Sequence, residues 1–552
     1  MRAVLTATPP PRPIDRTALL DEIRQHKRWD VIVIGGGATG LGTALDAVSR
    51  GYRTLLVEAH DFAKGTSGKA TKLIHGGVRY LAQGNIGLVR ESLRERELLL
   101  HNASHLVWPL GFVVPSYSHL DTAFYGAGLK LYDAMAGRDS LPGSRILSAS
   151  EAQSAAPGLA ARGPQGTLRG GVLYYDGQFD DARLAIALMR TIIDLGGTAL
   201  NAMAVRALTV RNGLVCGVAL EDTESGERLH AVADCVINAT GVWVDAIRRL
   251  EDPAALPMVA PSQGVHLVVP RRFLPGSHAV LVPRTNDGRI LFMLPWGGHT
   301  LLGTTDTARS DLPLEPVPGE AEIDFILSTA ARYLAAPPTR DDITSMWAGL
   351  RPLVRAGADM PTRAVSREHA IRMSPGGLLT ITGGKWTTYR RMAEDTIDHA
   401  IRHGLLPPRP CRTAHLRLHG APEGAGNVYG TDAPHLLALP GADVSLTGGG
   451  GLTEAHVRFA ARYEQARSVE DVLARRCRLL LLDAASARAA APAVARILAD
   501  ELEHGPEWIT GQLATFAATA QIYGNPSQNC LQGDATGDNT ADAIISAGEH
   551  NG

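Results

Sequence analysis

Two hydrophobic periodicities alternate along the chain. Residues 30–34 (DVIVI) form an unbroken β-branched run, and residues 54–57 form a second, with helical spacing over about 41–49 between them. Continuous apolar strands are covered on both faces, so strand, glycine loop, helix and strand predict a parallel βαβ unit. Helical spacing returns over 182–195 and stops at Gly196-Gly197, followed by strand-like runs around 205–210, 214–220 and 232–239. From Gln263 to Thr305 the pattern becomes short strands broken by turns, as in GVHLVVP and GRILFMLPWGG, which predicts a β-rich second domain inserted into the first.

The ends have a different character. Residues 17–28 (TALLDEIRQHKR) set Leu19, Leu20 and Ile23 against Arg24, Lys27 and Arg28, a short amphipathic helix behind a proline-rich lead. Pro407, Pro408 and Pro410 mark a linker, and helical spacing follows over 452–465, 469–482 and 507–521. The arginines of this part, Arg475, Arg476 and Arg478, read as a solvated face. Residues 526–552 are rich in Gly, Asn, Asp and Ala and read as a disordered tail. The expected organisation is a lead and helix over 1–28, an interleaved pair of domains over 29–408, a helical domain over 411–525, and the tail. Within 29–408 the β-rich part takes roughly 101–170 and 262–345.

Composition removes some classes of function. Fifty-four Lys and Arg stand against 56 Asp and Glu, a net charge of −2, so the basic excess of a nucleic-acid binder is missing. Cys216, Cys235, Cys411, Cys477 and Cys530 are scattered and odd in number, which argues against disulfides or a zinc site and for a reducing compartment. The first residues lack a signal-peptide core, and no apolar run reaches the roughly 18 residues of a spanning helix. Attachment to a membrane surface stays open.

The loop after the first strand is G-x-G-x-x-G: Gly35, Gly37 and Gly40. Gly35 suits the tight turn, Gly37 lets backbone approach a pyrophosphate, and Gly40 lets helix and strand close together. The helix N-terminus then offers N–H groups and partial positive charge to the phosphates. Glu58, ending the next strand, suits a ribose hydroxyl and would repel a 2′-phosphate. NAD and FAD loops look alike here. The loop's place near the N-terminus and the Ala239-Thr240-Gly241 turn after a strand favour FAD.

Residues 65–81 read GTSGKATKLIHGGVRYL and continue into GLVRESLREREL. Further blocks are LPGS, DDARL, NATGVWVD, GVHLVVP, LPWGGHTLLGTTD, GLRPL, TGGKWTTYR and VEDVLARRCRLLLLD, spread over nearly all of residues 28–485. In this ordered set the chain resembles the membrane-associated FAD-dependent glycerol-3-phosphate dehydrogenases. It departs from them at Gly68, Lys69 and Ala70, where the family commonly carries further serines.

The resemblance implies a D-amino-acid-oxidase-like α/β architecture: a Rossmann-like FAD-binding domain, an interleaved β-rich substrate domain and a helical C-terminal domain. It implies FAD held by Gly35, Gly37, Gly40, Glu58, Thr66, Ser67, Lys72, His75, Gly76, Gly241, Gly384 and Lys385. For a phosphate-bearing alcohol it implies Arg79, Tyr80, Arg351, Lys385 and Thr387 as substrate contacts. Among these Arg351 and Lys385 also serve catalysis, with His266 as the candidate base at a pKa suited to neutral pH. A hydrogen-bonded core histidine is the competing reading of His266. Asp306 is expected to support the site, while Trp296 is expected in the core.

The implied reaction takes sn-glycerol 3-phosphate to dihydroxyacetone phosphate and passes electrons to membrane quinone, without a metal. The enzyme would be cytoplasmic and peripheral on the inner face of the cytoplasmic membrane, with the 17–28 helix as one contact and a homodimer left open. An oxygen-using glycerol-3-phosphate oxidase, a glycine or D-amino-acid oxidase, and a non-catalytic flavoprotein are the rival readings.

Overall fold

The computed structural model describes residues 11–25, 28–77, 85–137, 141–283, 285, 289–355, 369–422, 427–448 and 451–525. Arg79, Tyr80 and the 526–552 tail lie outside the described residues.

Two large sheets carry the chain. The first is built on the apolar runs: Trp29–Ile34 lies parallel between Thr54–Val57 and the C-terminal half of Arg228–Asn238. Thr198–Leu200 extends it beyond Thr54–Val57, and Leu379–Gly383 adds in parallel at Ile237 and Asn238. The N-terminal half of Arg228–Asn238 instead pairs antiparallel with Leu214–Asp222, which pairs with Met203–Arg211. Val31 and Val33 point into one apolar core and Ile32 and Ile34 into another, which explains the missing polar alternation in the strand. Helix Ala38–Ser49 covers the first face, packed against helices Asp181–Asp194 and Tyr389–Arg402.

The second sheet has ten strands. Val259–Pro270 and Ser345–Val354 pair antiparallel through ten positions, from Val259 opposite Val354 to Val268 opposite Ser345. Val107–Ser116 pairs with Gly170–Phe179, and the short strand Leu73–Ile74 pairs with Gly177 and Gln178. Leu73–Ile74 follows directly from the loop that leaves the first sheet, so this loop bridges the two sheets.

The 17–28 helix forms as Arg16–Gln25, but Leu19, Leu20 and Ile23 are buried in the core of the first sheet. The apolar side expected to be open for a membrane is therefore spent inside the protein. Among the described residues no helix is long and apolar enough to cross a membrane. The C-terminal part includes Glu454–Glu464, a π-helical turn Asp471–Arg476, Leu479–Leu482, Ala484–Leu502 and Pro506–Tyr523. Ala484–Leu502 escaped the sequence reading because its alanines blur the 3.6-residue contrast and Pro492 stands inside it.

The arginine cluster is also different from expectation. Arg475, Arg476 and Arg478 are all buried rather than solvated. Charges of this kind are retained in a protein interior only when paired and hydrogen-bonded, and each of them is.

Candidate functional site

A cavity of about 1040 Å³ opens between the sheets, lined from the glycine loop through to Thr387. At one end Gly35 has φ +110°, and a Cβ there would stand 2.8 Å from the Ala239 carbonyl oxygen. A Cβ on Gly40 would stand 1.9 Å from the Gly35 oxygen, so helix and strand can approach only through glycine. Gly37 caps the helix without a side chain, and Gly37, Ala38 and Thr39 line the cavity. The helix N-terminus therefore faces the cavity, an arrangement that suits phosphate oxygens. Glu58 lines the same end, accepting N–H bonds from Gly36 at 2.6 Å and His60 at 2.9 Å. Burial pushes its carboxyl pKa up, and the two N–H bonds oppose that shift.

The hydroxyls of Thr66 and Ser67 brace the bridging loop. Thr66 Oγ1 donates to the Leu350 carbonyl at 2.5 Å, and Ser67 Oγ accepts the Ala38 N–H at 2.9 Å. Trp386 Nε1 donates to the Ser67 carbonyl at 2.9 Å. Three expected cofactor contacts are off the cavity wall: Gly40, which lies between helix and strand, and Lys72 and Gly76. The Lys72 ammonium is buried against Asp181 at 2.6 Å and the Gly68 carbonyl at 3.0 Å. Burial and the Arg478 charge lower its pKa to about 7. Gly76 donates its N–H to Tyr132 Oη at 2.8 Å, and a Cβ there would meet that oxygen at 2.4 Å. Both residues shape the loop without facing the cavity.

At the other end Gly241, Gly383 and Gly384 all have positive φ and line the cavity beside Lys385. A Cβ on Gly384 would stand 2.3 Å from Met392 Sδ, so that side chain would have to move. His75 and Thr387 line the same region and hold each other: the His75 N–H donates to Thr387 Oγ1 at 3.2 Å. Strand register sets His266 opposite both Gly303 and Trp347. Its imidazole stacks on Trp347 with centroids 5.2 Å apart, and Nε2 lies 2.9 Å from Thr71 Oγ1. Burial first, then the charges of Lys72 and Arg351, hold its pKa well below the ordinary histidine value. This corrects the expectation of a pKa suited to neutral pH: the ring is firmly neutral there.

Arg351 stands opposite Ser262 on the same strand pair. Its Nη2 donates to Thr304 Oγ1 at 3.1 Å and the Thr305 carbonyl at 3.0 Å. Asp306 Oδ1 lies 3.4 Å from Nη1 and also accepts the Ser262 hydroxyl. The arginine is thus oriented by neighbours that line the cavity with it. His266, Arg351, Lys385 and Thr387 come together on one cavity although up to 121 positions separate them in the chain.

Thr71, Asp176 and Arg289 are among the wall residues that escaped the sequence reading. Asp176 was legible in principle, as a lone charge in the apolar strand Gly170–Phe179. It is buried and accepts Arg96 Nη1 at 2.7 Å and Tyr132 Oη at 2.9 Å, and burial raises its pKa. Arg289 follows an ordinary turn sequence and carried no local signal. Among the described residues no group of three or more potential metal ligands occurs.

Residues 30–390 match the family described as FAD dependent oxidoreductase, and residues 425–508 match the C-terminal domain of alpha-glycerophosphate oxidase. The mitochondrial glycerol-3-phosphate dehydrogenase of Arabidopsis thaliana is 39% identical, over 90% of this chain and 86% of that protein. The human mitochondrial enzyme is 38% identical, over 89% of this chain and 73% of its own length. The solved structure of glycerol-3-phosphate dehydrogenase from Bacillus halodurans, complexed with FAD, superposes with a TM-score of 0.74. That match has 28% identity and covers 92% of this chain and 97% of the other. L-alpha-glycerophosphate oxidase from Mycoplasma pneumoniae shares the fold at a TM-score of 0.54 and 15% identity, covering 67% of this chain and 94% of its own. The glycine-walled cavity, the open helix N-terminus and Glu58 fit FAD, and the chain belongs to the FAD-dependent glycerol-3-phosphate dehydrogenase family.

Proposed function

We propose that this protein oxidises sn-glycerol 3-phosphate to dihydroxyacetone phosphate. The observation that carries the reading is the convergence of Arg351, Lys385 and the neutral imidazole of His266 on the glycine-walled end of one cavity. FAD, when bound, supplies the hydride acceptor. Arg351 has the planar donor fork that suits a phosphate, and Lys385 adds a point charge. His266, neutral and joined to Thr71, is placed to take the hydroxyl proton as the C2 hydride leaves. Thr387 and Tyr80 are proposed as neutral donors to the substrate and Arg79 as a further phosphate contact.

Electrons then pass to a membrane quinone, with the enzyme peripheral on the cytoplasmic side of the membrane. Helix His119–Ala136 supports a surface contact. Leu120, Phe124 and Leu131 lie along one stripe of it, 84%, 70% and 51% exposed, and Ile146 beside it is 59% exposed. Exposed Lys130 and Arg145, on these same two elements, suit an anionic lipid face. The match to the C-terminal domain of alpha-glycerophosphate oxidase favours one alternative acceptor, oxygen.

Anaerobic addition of glycerol 3-phosphate to the purified holoprotein tests the reaction. Bleaching of the flavin by glycerol 3-phosphate, and by neither glycerol nor glycine, is the expected result. Bleaching by glycine alone would overturn it. Fast peroxide formation on mixing the reduced enzyme with air would replace quinone by oxygen as acceptor.

A further inference from the structure

The loop of residues 58–72 forms a long stretch of the cavity wall, from Glu58 through Thr71. It is an awkward piece of chain to hold. Ala63 and Lys72 both have positive φ, 60° and 65°, which non-glycine residues adopt only when their surroundings impose it. Asp61, Lys64, Lys69 and Lys72 are charges buried or nearly buried in it, Asp61 and Lys72 off the cavity wall.

The C-terminal domain pairs directly with Asp61 and Lys64, and its Tyr523 and Arg478 hold Glu315 and Asp181, the partners of Lys69 and Lys72. Asp61 receives Arg475 Nε and, at 2.5 Å and 2.9 Å, both terminal nitrogens of Arg476. Lys64 pairs with Glu470, and also with Glu315 at 2.9 Å. Lys69 pairs with Glu315 at 2.6 Å, whose carboxylate also accepts the Tyr523 hydroxyl at 2.9 Å. Arg478 Nη2 donates to the Gly68 carbonyl at 2.9 Å and to Asp181 at 2.8 Å, the same carboxylate that holds Lys72. Yet none of residues 470–478 lines the cavity. The segment touches the wall only from behind.

We propose that the C-terminal domain controls FAD affinity through this contact, with Arg475, Arg476 and Arg478 as positioning residues for the loop. The inference rests on FAD as the cofactor. The ligand needs the loop in its strained conformation, and docking of residues 470–478 keeps it there through counter-charges to Asp61 and Lys64 and a donor to the Gly68 carbonyl. Because both events draw on one loop equilibrium, the coupling is reciprocal: docking tightens FAD, and FAD tightens docking. The departure from the family serines at Gly68 and Lys69 fits this use. Gly68 offers its carbonyl to Arg478, and its own Cβ would stand 2.5 Å from the Ala63 oxygen; Lys69 pairs with Glu315.

FAD titration into apoprotein, followed by flavin fluorescence, tests the proposal. Arg476→Gln and Arg478→Gln are expected to raise the FAD Kd by about tenfold or more. Arg190→Gln breaks an equally buried pair with Asp432, elsewhere on the contact with residues 413–432, and is expected to leave Kd within about twofold. Equal shifts in all three variants, or none in any, would overturn it. Hydrogen exchange on the wild-type chain gives a second readout that does not depend on how the variants fold. FAD should raise protection of residues 470–478 more than that of helix Glu320–Ala331, which also lies off the cavity wall. An equal change in both would sink the coupling. Wild-type apoprotein that takes up no FAD would instead sink the cofactor assignment.

Discussion

Thr71 Oγ1 lies 2.9 Å from His266 Nε2, and this contact joins the bridging loop of one sheet to the Val259–Pro270 and Ser345–Val354 pair at the end of the other. His266 is the residue that carries the proposed proton transfer, and its pKa is lowered by burial and by Lys72 and Arg351. The imidazole therefore stays unprotonated below the ordinary histidine pKa of 6.5. If it takes the substrate proton, the acid limb of kcat/KM lies below pH 6.5 and disappears in His266→Asn. That variant should lose about 10²–10⁴-fold in kcat while keeping its flavin spectrum. Thr71→Val should cost about tenfold, the scale of one hydrogen bond. An acid limb above pH 7 that survives His266→Asn would assign the base elsewhere.

Arg351 is held by the Thr304 hydroxyl, the Thr305 carbonyl and Asp306, so its fork has a set direction. Arg351→Lys keeps the charge and loses the fork. We expect KM for glycerol 3-phosphate to rise by roughly 10–100-fold, the equivalent of about 1.5–3 kcal/mol, with FAD content unchanged. Steady-state kinetics beside the flavin absorbance separate the two effects. Loss of flavin in this variant would show that Arg351 serves the cofactor.

Gly40→Ala would place a methyl group 1.9 Å from the Gly35 oxygen. Strand and helix cannot both keep their positions, and overpacking of this kind costs about 1–3 kcal/mol or more. The purified variant should be colourless or hold FAD at least about tenfold more weakly. Full flavin occupancy would mean that the helix can shift without disturbing the phosphate end.

His105 lies buried beneath Gly420, and its Nδ1 has no hydrogen-bond partner among the described residues. Burial, followed by the charges of Arg183 and His419, lowers its pKa to about 4. A lowered histidine pKa favours the neutral folded form. Its stabilisation is complete above pH 6.5 and is lost as pH falls from 6.5 towards 4. Between pH 7 and pH 4 the wild-type chain should lose about 3 kcal/mol more than His105→Gln, measured by denaturant unfolding at both pH values. Equal losses would mean that His105 is not what titrates.

The exposed stripe on helix His119–Ala136 is the proposed membrane contact. Inserting Leu120 and Phe124 is worth roughly 1.5–3 kcal/mol each, so Leu120→Asp with Phe124→Asp should weaken binding to anionic vesicles by about tenfold or more. Vesicle flotation gives the comparison. Equal binding by both proteins would move the contact to another face.

The sequence by itself determined the βαβ unit, the dinucleotide loop and the family, because each depends on local order. A β-branched run makes a buried strand whatever surrounds it, and Gly35 and Gly40 meet within one turn of chain. Glu58 at the end of the next strand is equally local. What only the tertiary structure decided concerns groups whose neighbours are distant. His266 looked like an ordinary base until Trp347, Lys72 and Arg351 surrounded it and pushed its pKa down. Lys72 looked like a cofactor contact until Asp181, a carboxylate it shares with Arg478, drew it away from the cavity. The three arginines after residue 474 looked solvated because two of the carboxylates that hold them buried, Asp61 and Asp181, lie roughly 300–400 positions away. Burial and charge pairing across such separations leave no periodicity in the chain, and only the folded protein sets them.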